Sequence, residues 1–470
     1  MELQNVICGC ACEIRDAKNS SFGSWLTRLA AISLMVTLAS ACSAKSGQEV
    51  PMRVDGEDAV PSRMPTAEEM LEVTAAGYKK PIDGKSECFG RLVFEVGQVV
   101  QWPVYLNTEN PNGPFNRLFS RHIASPGDAM RFGNTRIAVI GSVDGVEKER
   151  LFQITPAAIE AHLQKRISET RAYIDEQRKR TKNREAARKE IGEAEDWIRR
   201  REKTIRENRE QFEPFDPGVP ASQGYWTSAI EGNDDTDRYS VLRAYLTRGE
   251  YIYVFESTVK MNTPSDKEAH KRDFSAMLAK FRTRAANEIP TEPGVCFPFG
   301  FIPDDGRTVV EFKQSLRYSD APGVLYTIET GIVHPRRMKA TPLLAAAHAS
   351  INPPPATEEN EIRPVVTQRI GPHSIKMGGL SALQGGVVLQ AGAGSKKYDI
   401  YSVFSGYSGW LGTAVLPYIL VEMHTVNREL ATELKQNPPP FKQSKERLDI
   451  LLQSMRWRPT NPTMPEFERK

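Results

Sequence analysis

The sequence predicts an α+β fold made of two related, sandwich-like α/β domains, each an antiparallel sheet with packed helices, plus a charged helical hairpin inserted in the first. Three observations predict it. The stretches Glu87-Cys88-Phe89-Gly90-Arg91-Leu92-Val93-Phe94 and Gly294-Val295-Cys296-Phe297-Pro298-Phe299-Gly300-Phe301 each couple a cysteine to an aromatic residue, a glycine and an apolar, strand-like run. Two amphipathic segments close the two halves, one followed by Arg282 and Arg284 and the other by Arg456 and Arg458 at the same offsets. Within the first half, 156–212 is rich in Lys, Arg and Glu, has no internal proline and holds one glycine, Gly192, so it reads as helix.

At 470 residues, with 40% hydrophobic and 26% charged, the chain has ordinary globular composition and length for more than one core. The organisation expected is a signal region at 1–41, a lipidated tether at 42–65, an N-terminal α+β domain at 66–289 carrying the hairpin insertion at 156–212, and a C-terminal α+β domain at 290–470. Lys plus Arg number 62 against 59 Asp plus Glu, and the net charge of +3 singles out neither nucleic acid nor anionic lipid as a partner.

The N-terminus is more informative. Arg28 precedes an apolar run from Leu29 to Leu38, and Ala39-Ser40-Ala41-Cys42 follows. A basic residue, roughly 7–15 apolar residues and a small-residue cleavage site make a secretory signal; small residues running into a cysteine resemble the lipobox of bacterial lipoproteins. Cys42 is therefore the expected lipidation site. The run is shorter than the ~20 apolar residues of a membrane span, and an ordinary secretory signal or a short buried helix are the alternatives. Residues 1–27, with Cys8, Cys10 and Cys12, show no metal-site spacing, and a start near Leu26 gives a compact signal. Ser43 to Pro65 is polar with scattered Pro and Gly, a composition that suits a tether.

With Cys42 lipidated, Cys88 and Cys296 are the cysteines left in the exported chain. Either they form a disulfide that ties the starts of the two halves together, or they lie as free thiols, each a small hydrophobe in its own core.

In the first half, Ala67 to Ala75 is a helical candidate, and Arg91 to Val96 alternates Leu92, Phe94 and Val96 against Arg91 and Glu95, the period of a half-buried strand. Further strands are expected from Val99 to Leu106 and from Arg136 to Val143. In the charged segment, Ile159, Leu163, Ile167 and Ile174 form one apolar stripe, and Ile191, Ile198, Ile205 and Phe212 form another at heptad spacing. The stripes are out of phase. The stretch Arg178-Lys179-Arg180-Thr181-Lys182-Asn183-Arg184 between them carries nothing apolar, so an antiparallel hairpin turning near Asn183 is expected in place of one rod of about 80 Å. Tyr239 to Thr247 and Glu250 to Lys260 read as a β-hairpin. Ser265 and Glu268 make a capping box for a helix whose apolar face is Phe274, Met277, Leu278 and Phe281.

The second half repeats the scheme, with strands expected at Thr308–Tyr318, Val324–Ile332, Pro364–Ile370, Gly386–Gln390, Tyr398–Phe404 and Ala414–His424. A last helix starts near Ser444, with Leu448, Leu451, Leu452 and Met455 at the offsets of the first half's apolar face. The charged hairpin belongs to the first copy alone and reads as an insertion.

Motifs that carry chemistry fail on inspection. Gly406-Tyr407-Ser408-Gly409-Trp410 departs from a nucleophile elbow at its last place, where glycine is required. Gly392-Ala393-Gly394-Ser395-Lys396-Lys397 lacks the spacing of a phosphate loop, and the 7 histidines form no metal-ligand spacing. No enzyme, metal or cofactor is expected. Phe404, Tyr407, Trp410 and Leu411 crowd a Gly- and Ser-rich loop between two strands and are the candidate partner-binding residues; the competing reading folds Trp410 back into the core.

The Cys88-Phe89-Gly90-Arg91 and Gly294-Val295-Cys296-Phe297 openings, with the closing Met455-Arg456-Trp457-Arg458-Pro459, resemble the immunity proteins paired with family-four lipase effectors of the type VI secretion system. The resemblance runs over most of the chain after residue 65. It implies a periplasmic protein, without enzymatic activity, that binds a cognate phospholipase effector one to one and neutralises it as a two-domain clamp around the active-site lid. Two linked modules raise the effective concentration at the second contact, and a lipid anchor would hold the inhibitor at the membrane the toxin attacks. Ser43 after Cys42, in place of Asp, points to the outer membrane. The alternative is an envelope scaffold or transport-adaptor lipoprotein, since a helical hairpin flanked by β modules also describes periplasmic efflux adaptors.

Overall fold

The computed structural model describes residues 66, 85–106, 115, 117–120, 123–125, 127–141, 156–180, 184–211, 213–231, 237–263, 265–333, 365–392, 397–426, 431 and 433–458. Cys8, Cys10, Cys12, Cys42, the tether and the expected helix at 67–75 lie outside these residues, as does most of the glycine-rich stretch 392–397.

The first half supplies β1 (Ser86–Phe89), β2 (Leu92–Glu95), β3 (Val100–Gln101), β4 (Tyr105–Leu106), β5 (Arg117–Ser120), β6 (Ile123–Ala124), β7 (Ala129–Phe132) and β8 (Thr135–Ile140). Helices α1 (Pro156–Arg180) and α2 (Arg184–Gln211) follow, then β9 (Glu213–Phe215), β10 (Ser222–Glu231), β11 (Asp237–Arg248), β12 (Tyr251–Lys260), α3 (Ser265–Lys280) and β13 (Arg282–Thr283). The second half supplies β14 (Gly294–Phe297), β15 (Gly300–Pro303), β16 (Val310–Tyr318), β17 (Ala321–Gly331), β18 (Val365–Met377), β19 (Leu380–Ala391), β20 (Tyr398–Tyr407), β21 (Tyr418–Thr425), α4 (Phe441–Ser454) and β22 (Arg456–Trp457).

The sheet order reveals the duplication. One 13-stranded sheet runs β18-β19-β20-β21-β17-β16-β7-β8-β12-β11-β10-β9, with β3 added beside β16. Read outward from the central β7–β16 pair, the two arms list corresponding strands in the same order. The sequence predicts two domains with separate sheets; the structure instead joins them edge to edge, with Val310 opposite Phe132 and Lys313 opposite Ala129 in an antiparallel pair. Each half-sheet alone would leave an open edge strand here, and pairing the two edges satisfies both ladders at once.

The halves also exchange their last strands. After α3, β13 pairs with β15 of the second-half hairpin (Arg282 opposite Phe301, Thr283 opposite Gly300). After α4, β22 returns to β2 of the first-half hairpin (Leu92 opposite Trp457, Val93 opposite Arg456). Both helices lie on the face of the sheet that carries the main core, where Phe274 and Leu278 of α3 and Leu448, Leu451 and Leu452 of α4 are buried with Phe89, Phe94, Phe255, Phe297, Phe312 and Tyr326.

Helices α1 and α2 pack through Ile167, Ile174, Ile198 and Ile205, with Ile191 and Trp197 at the margin. Their exposed flanks are laced by Arg171–Glu202 at 2.6 Å and Arg178–Glu195 at 2.7 Å. Each seven-residue step up α1 is met by a seven-residue step down α2, so the two helices run antiparallel. Ile159, Leu163 and Phe212 of the expected stripes have no described side chain.

Candidate functional site

The joint between the halves is where the duplicated elements converge. The hairpins β1–β2 and β14–β15 bond to one another through Gly90 and Cys296, N–H to carbonyl in both directions at 2.7 and 2.8 Å. Cys88 and Cys296 lie in this contact with their Cα atoms 5.7 Å apart and their sulfurs bonded, and both are fully buried with Val93 and Phe301. Gly294, at φ +154°, is required here, because a Cβ would fall 2.4 Å from the Ile302 carbonyl oxygen and from the Phe301 ring.

Three buried arginines surround the joint. Arg91, in the first hairpin turn, is ion-paired with Asp304 and donates to the carbonyls of Ala414 at 3.1 Å and Thr308 at 3.2 Å. Arg284 is ion-paired with Glu87 and donates to the carbonyls of Cys88 at 3.1 Å and Phe297 at 3.2 Å. Arg458 donates to the carbonyls of Gly294 at 2.9 Å, Pro290 at 3.0 Å and Glu292 at 2.6 Å, and brings Nη1 to 3.5 Å from Cys296 Sγ. Burial pushes Arg458 down to about 10; Glu292 opposes the shift, and the neighbouring Arg91, Arg284 and Arg282 add to it. Arg282 and Arg458 lie over the Phe301 ring, each 4.8 Å from its centroid. The arrangement binds main-chain carbonyls of both halves through fixed cationic forks, so it sets how the halves meet.

The helices are tied to the sheet at a matching place. In α3, His270 Nδ1 is 2.7 Å from Ser240 Oγ and Nε2 is 2.9 Å from Ser257 Oγ, while the indole N–H of Trp226 donates to Ser240 Oγ at 2.8 Å. Burial holds the imidazole down at about 4, hence neutral at physiological pH. In α4 the corresponding residue is Ser444, which meets Tyr401 Oη at 2.6 Å and whose carbonyl accepts from Tyr326 Oη at 3.1 Å. A Ser-His-Ser contact resembles acid–base machinery, but His270 is 5% exposed beneath α3, and these bonds satisfy buried polar groups. Among the described residues no group of three or more His, Cys, Asp or Glu is placed to hold a metal ion.

The four residues expected to bind a partner are placed unevenly. Phe404 and Tyr407 on β20 are buried, and Tyr407 belongs to the main core. Trp410 is half-buried and packs against that core. Leu411 is exposed, at 38%. The loop folds back because Gly409, at φ +69°, lies where a Cβ would come 2.4 Å from the Tyr418 nitrogen, and Trp410 N–H then donates to the Leu416 carbonyl at 3.0 Å. As a surface feature the stretch therefore offers Leu411 and one edge of Trp410.

Sequence reasoning singled out the cysteines and the arginine repeat but assigned no role to Glu87, Arg91, Arg284, Asp304 or Arg458. The repeat of Arg-x-Arg after each closing helix was the available signal.

Comparison with known proteins follows the same boundary. Residues 288–460, which span β14 through β22, match the family described as the Tle cognate immunity protein 4 C-terminal domain. No curated protein matches the chain. Among solved structures, the immunity protein TplEi of T6SS from Pseudomonas aeruginosa, complexed with "L" peptide, is 14% identical at a TM-score of 0.42, covering 81% of this chain and 100% of its own. The apo form of TplEi is 15% identical at 0.43, covering 80% and 98%. The Tle4–Tli4 complex gives 16% identity at 0.40, covering 81% and 100%.

Proposed function

We propose, from the premise that residues 288–460 belong to the family of Tle cognate immunity protein 4 C-terminal domains, that the chain is a periplasmic immunity lipoprotein that binds and neutralises a type VI secretion phospholipase effector. The observation that carries this reading is the family match over the second copy, which is built into the rest of the chain. β14–β15 is completed by β13 of the first half, and β22 completes the first-half hairpin. The matched segment shares strands with the first half, so on this reading both halves present one jointed body to an effector.

Inhibition on this reading is steric. The two half-sheets are the arms of the clamp, the α1–α2 helical hairpin is a feature of the first arm, and the effector's active-site and lid region is held between them one to one. A lipase acts when substrate lipid reaches its cleft, so occupation of the cleft mouth suffices and no chemistry is required of the inhibitor. Lipidation at Cys42, with the anchor in the outer membrane, would concentrate the inhibitor at the surface under attack.

Periplasmic co-expression with a candidate phospholipase effector of the type VI secretion system tests the reading. Protected growth and co-purification of the two proteins are expected. Unprotected growth with no co-purification would exclude an immunity role and favour the envelope-scaffold alternative.

A further inference from the structure

Cys88 and Cys296 occupy equivalent places in the two copies, yet their surroundings differ in charge. Arg458 holds a guanidinium nitrogen 3.5 Å from Cys296 Sγ. Cys88 Sγ instead lies 3.9 Å from the Glu288 carbonyl oxygen, an acceptor. The Glu87 carboxylate stands beside Cys88, accepting from its backbone N–H at 2.8 Å and ion-paired with Arg284. At the place of Glu87 the second copy has Val295. One sulfur thus faces a cation, and the other faces a carbonyl.

A guanidinium beside a sulfur favours its thiolate. A carbonyl can accept from a neutral S–H. We propose that, when the Cys88–Cys296 bond is reduced, Cys296 becomes a thiolate held by Arg458 and Cys88 a neutral thiol. With a small dithiol as reductant, the Cys88–Cys296 bond breaks and its two electrons come from the dithiol, which closes into its own cyclic disulfide. One of the dithiol's two protons goes to the Cys88 sulfur and the other to solvent. The Cys296 thiolate is then the nucleophile when an oxidant restores the bond. The backbone bonds between Gly90 and Cys296 do not depend on the sulfurs, so the hairpins remain docked in both states.

The test is an ultraviolet thiolate titration of the Cys88→Ser chain, read as a difference against the Cys88→Ser/Cys296→Ser chain to remove the other cysteines. The expected midpoint lies at least about one pH unit below the ordinary thiol value of about 8.5; Arg458→Gln raises it by about a unit or more, while Arg458→Lys retains most of the lowering. Circular dichroism checks folding at each pH. Should Cys88→Ser not fold, the dithiol-reduced wild-type chain is titrated with and without Arg458→Gln, and one low midpoint that moves with Arg458 is expected. A midpoint at or above the ordinary value, or one indifferent to Arg458→Gln, overturns the proposal.

Discussion

Arg284 and Arg458 are corresponding residues of the two copies, and each bridges them. The backbone N–H of Arg284 donates to the Phe299 carbonyl in the second-half hairpin at 3.0 Å, and that of Arg458 donates to the Arg91 carbonyl in the first-half hairpin at 3.1 Å. The Arg458 side chain turns to the hairpin of its own half, at Gly294, and that of Arg284 reaches both hairpins, at Cys88 and Phe297. Every closing strand is thereby fastened to both halves, which makes the joint a cooperative unit.

Removing one member of a buried ion pair strands the other. Arg284→Met leaves Glu87 buried without its cation, and a loss of about 3–5 kcal/mol is expected in urea unfolding. Adding Glu87→Gln should recover part of that loss; a fully additive double variant would show that the pair is not coupled.

The cross-link closes a loop of 208 residues, and loop-closure entropy sets its contribution at up to about 5 kcal/mol. The Cys88→Ala/Cys296→Ala chain should therefore melt well below wild type, and mass spectrometry of the non-reduced chain should find the two cysteines in one linked peptide. Free thiols at both positions in the oxidised protein would contradict the joint as described.

Stability should fall on mild acidification because of His270. Its folded value is about 4 against 6.5 for the free side chain, so the unfolded chain binds the proton more readily and stability is lost as pH drops from 6.5 towards 4. His424, also held at about 4 by burial, acts in the same direction. Asp128 acts oppositely: burial raises it to about 6 from 3.8, and its contribution is present below 3.8 and lost as pH rises through 6. Urea midpoints measured across this range should show a shallower acid-side decline for His270→Gln than for wild type, at a lower absolute stability. Parallel curves for the two chains would remove His270 from the account.

The loop of β20 separates folding from binding. Phe404→Ala should cost about 3–5 kcal/mol as a core deletion. Leu411→Asp should leave stability within about 0.5 kcal/mol and weaken effector capture. A Leu411→Asp chain that binds as wild type would move the contact surface elsewhere.

How far the fold was legible follows from the kinds of signal involved. The repeated Cys-Phe openings, the two apolar helix faces and the arginines after them are local patterns, and they marked the duplication without any structure. The strands Tyr239–Thr247 and Glu250–Lys260 were placed within a few residues of β11 and β12 because they alternate around a Gly turn. Strand β10 was missed: its partners are β9 and β11, and Ser222-Gln223-Gly224 opens it without apolar alternation. The joining of the sheets was also invisible, since β7 is four residues long and its partner β16 lies far along the chain. Exchange of β13 and β22 is likewise a long-range fact. At the joint, Arg91 and Asp304 pair across the two halves, which no spacing rule connects. For Phe404 and Tyr407, aromatic crowding in a loop was read as surface, whereas the strand extends through Tyr407 and carries both inside.

The central claim is inhibition by one-to-one binding, and titration of the purified mature chain into the purified effector lipase tests it most directly. Phospholipid hydrolysis should fall in proportion to added protein and reach zero at an equimolar ratio. Hydrolysis unchanged at a several-fold excess would contradict it.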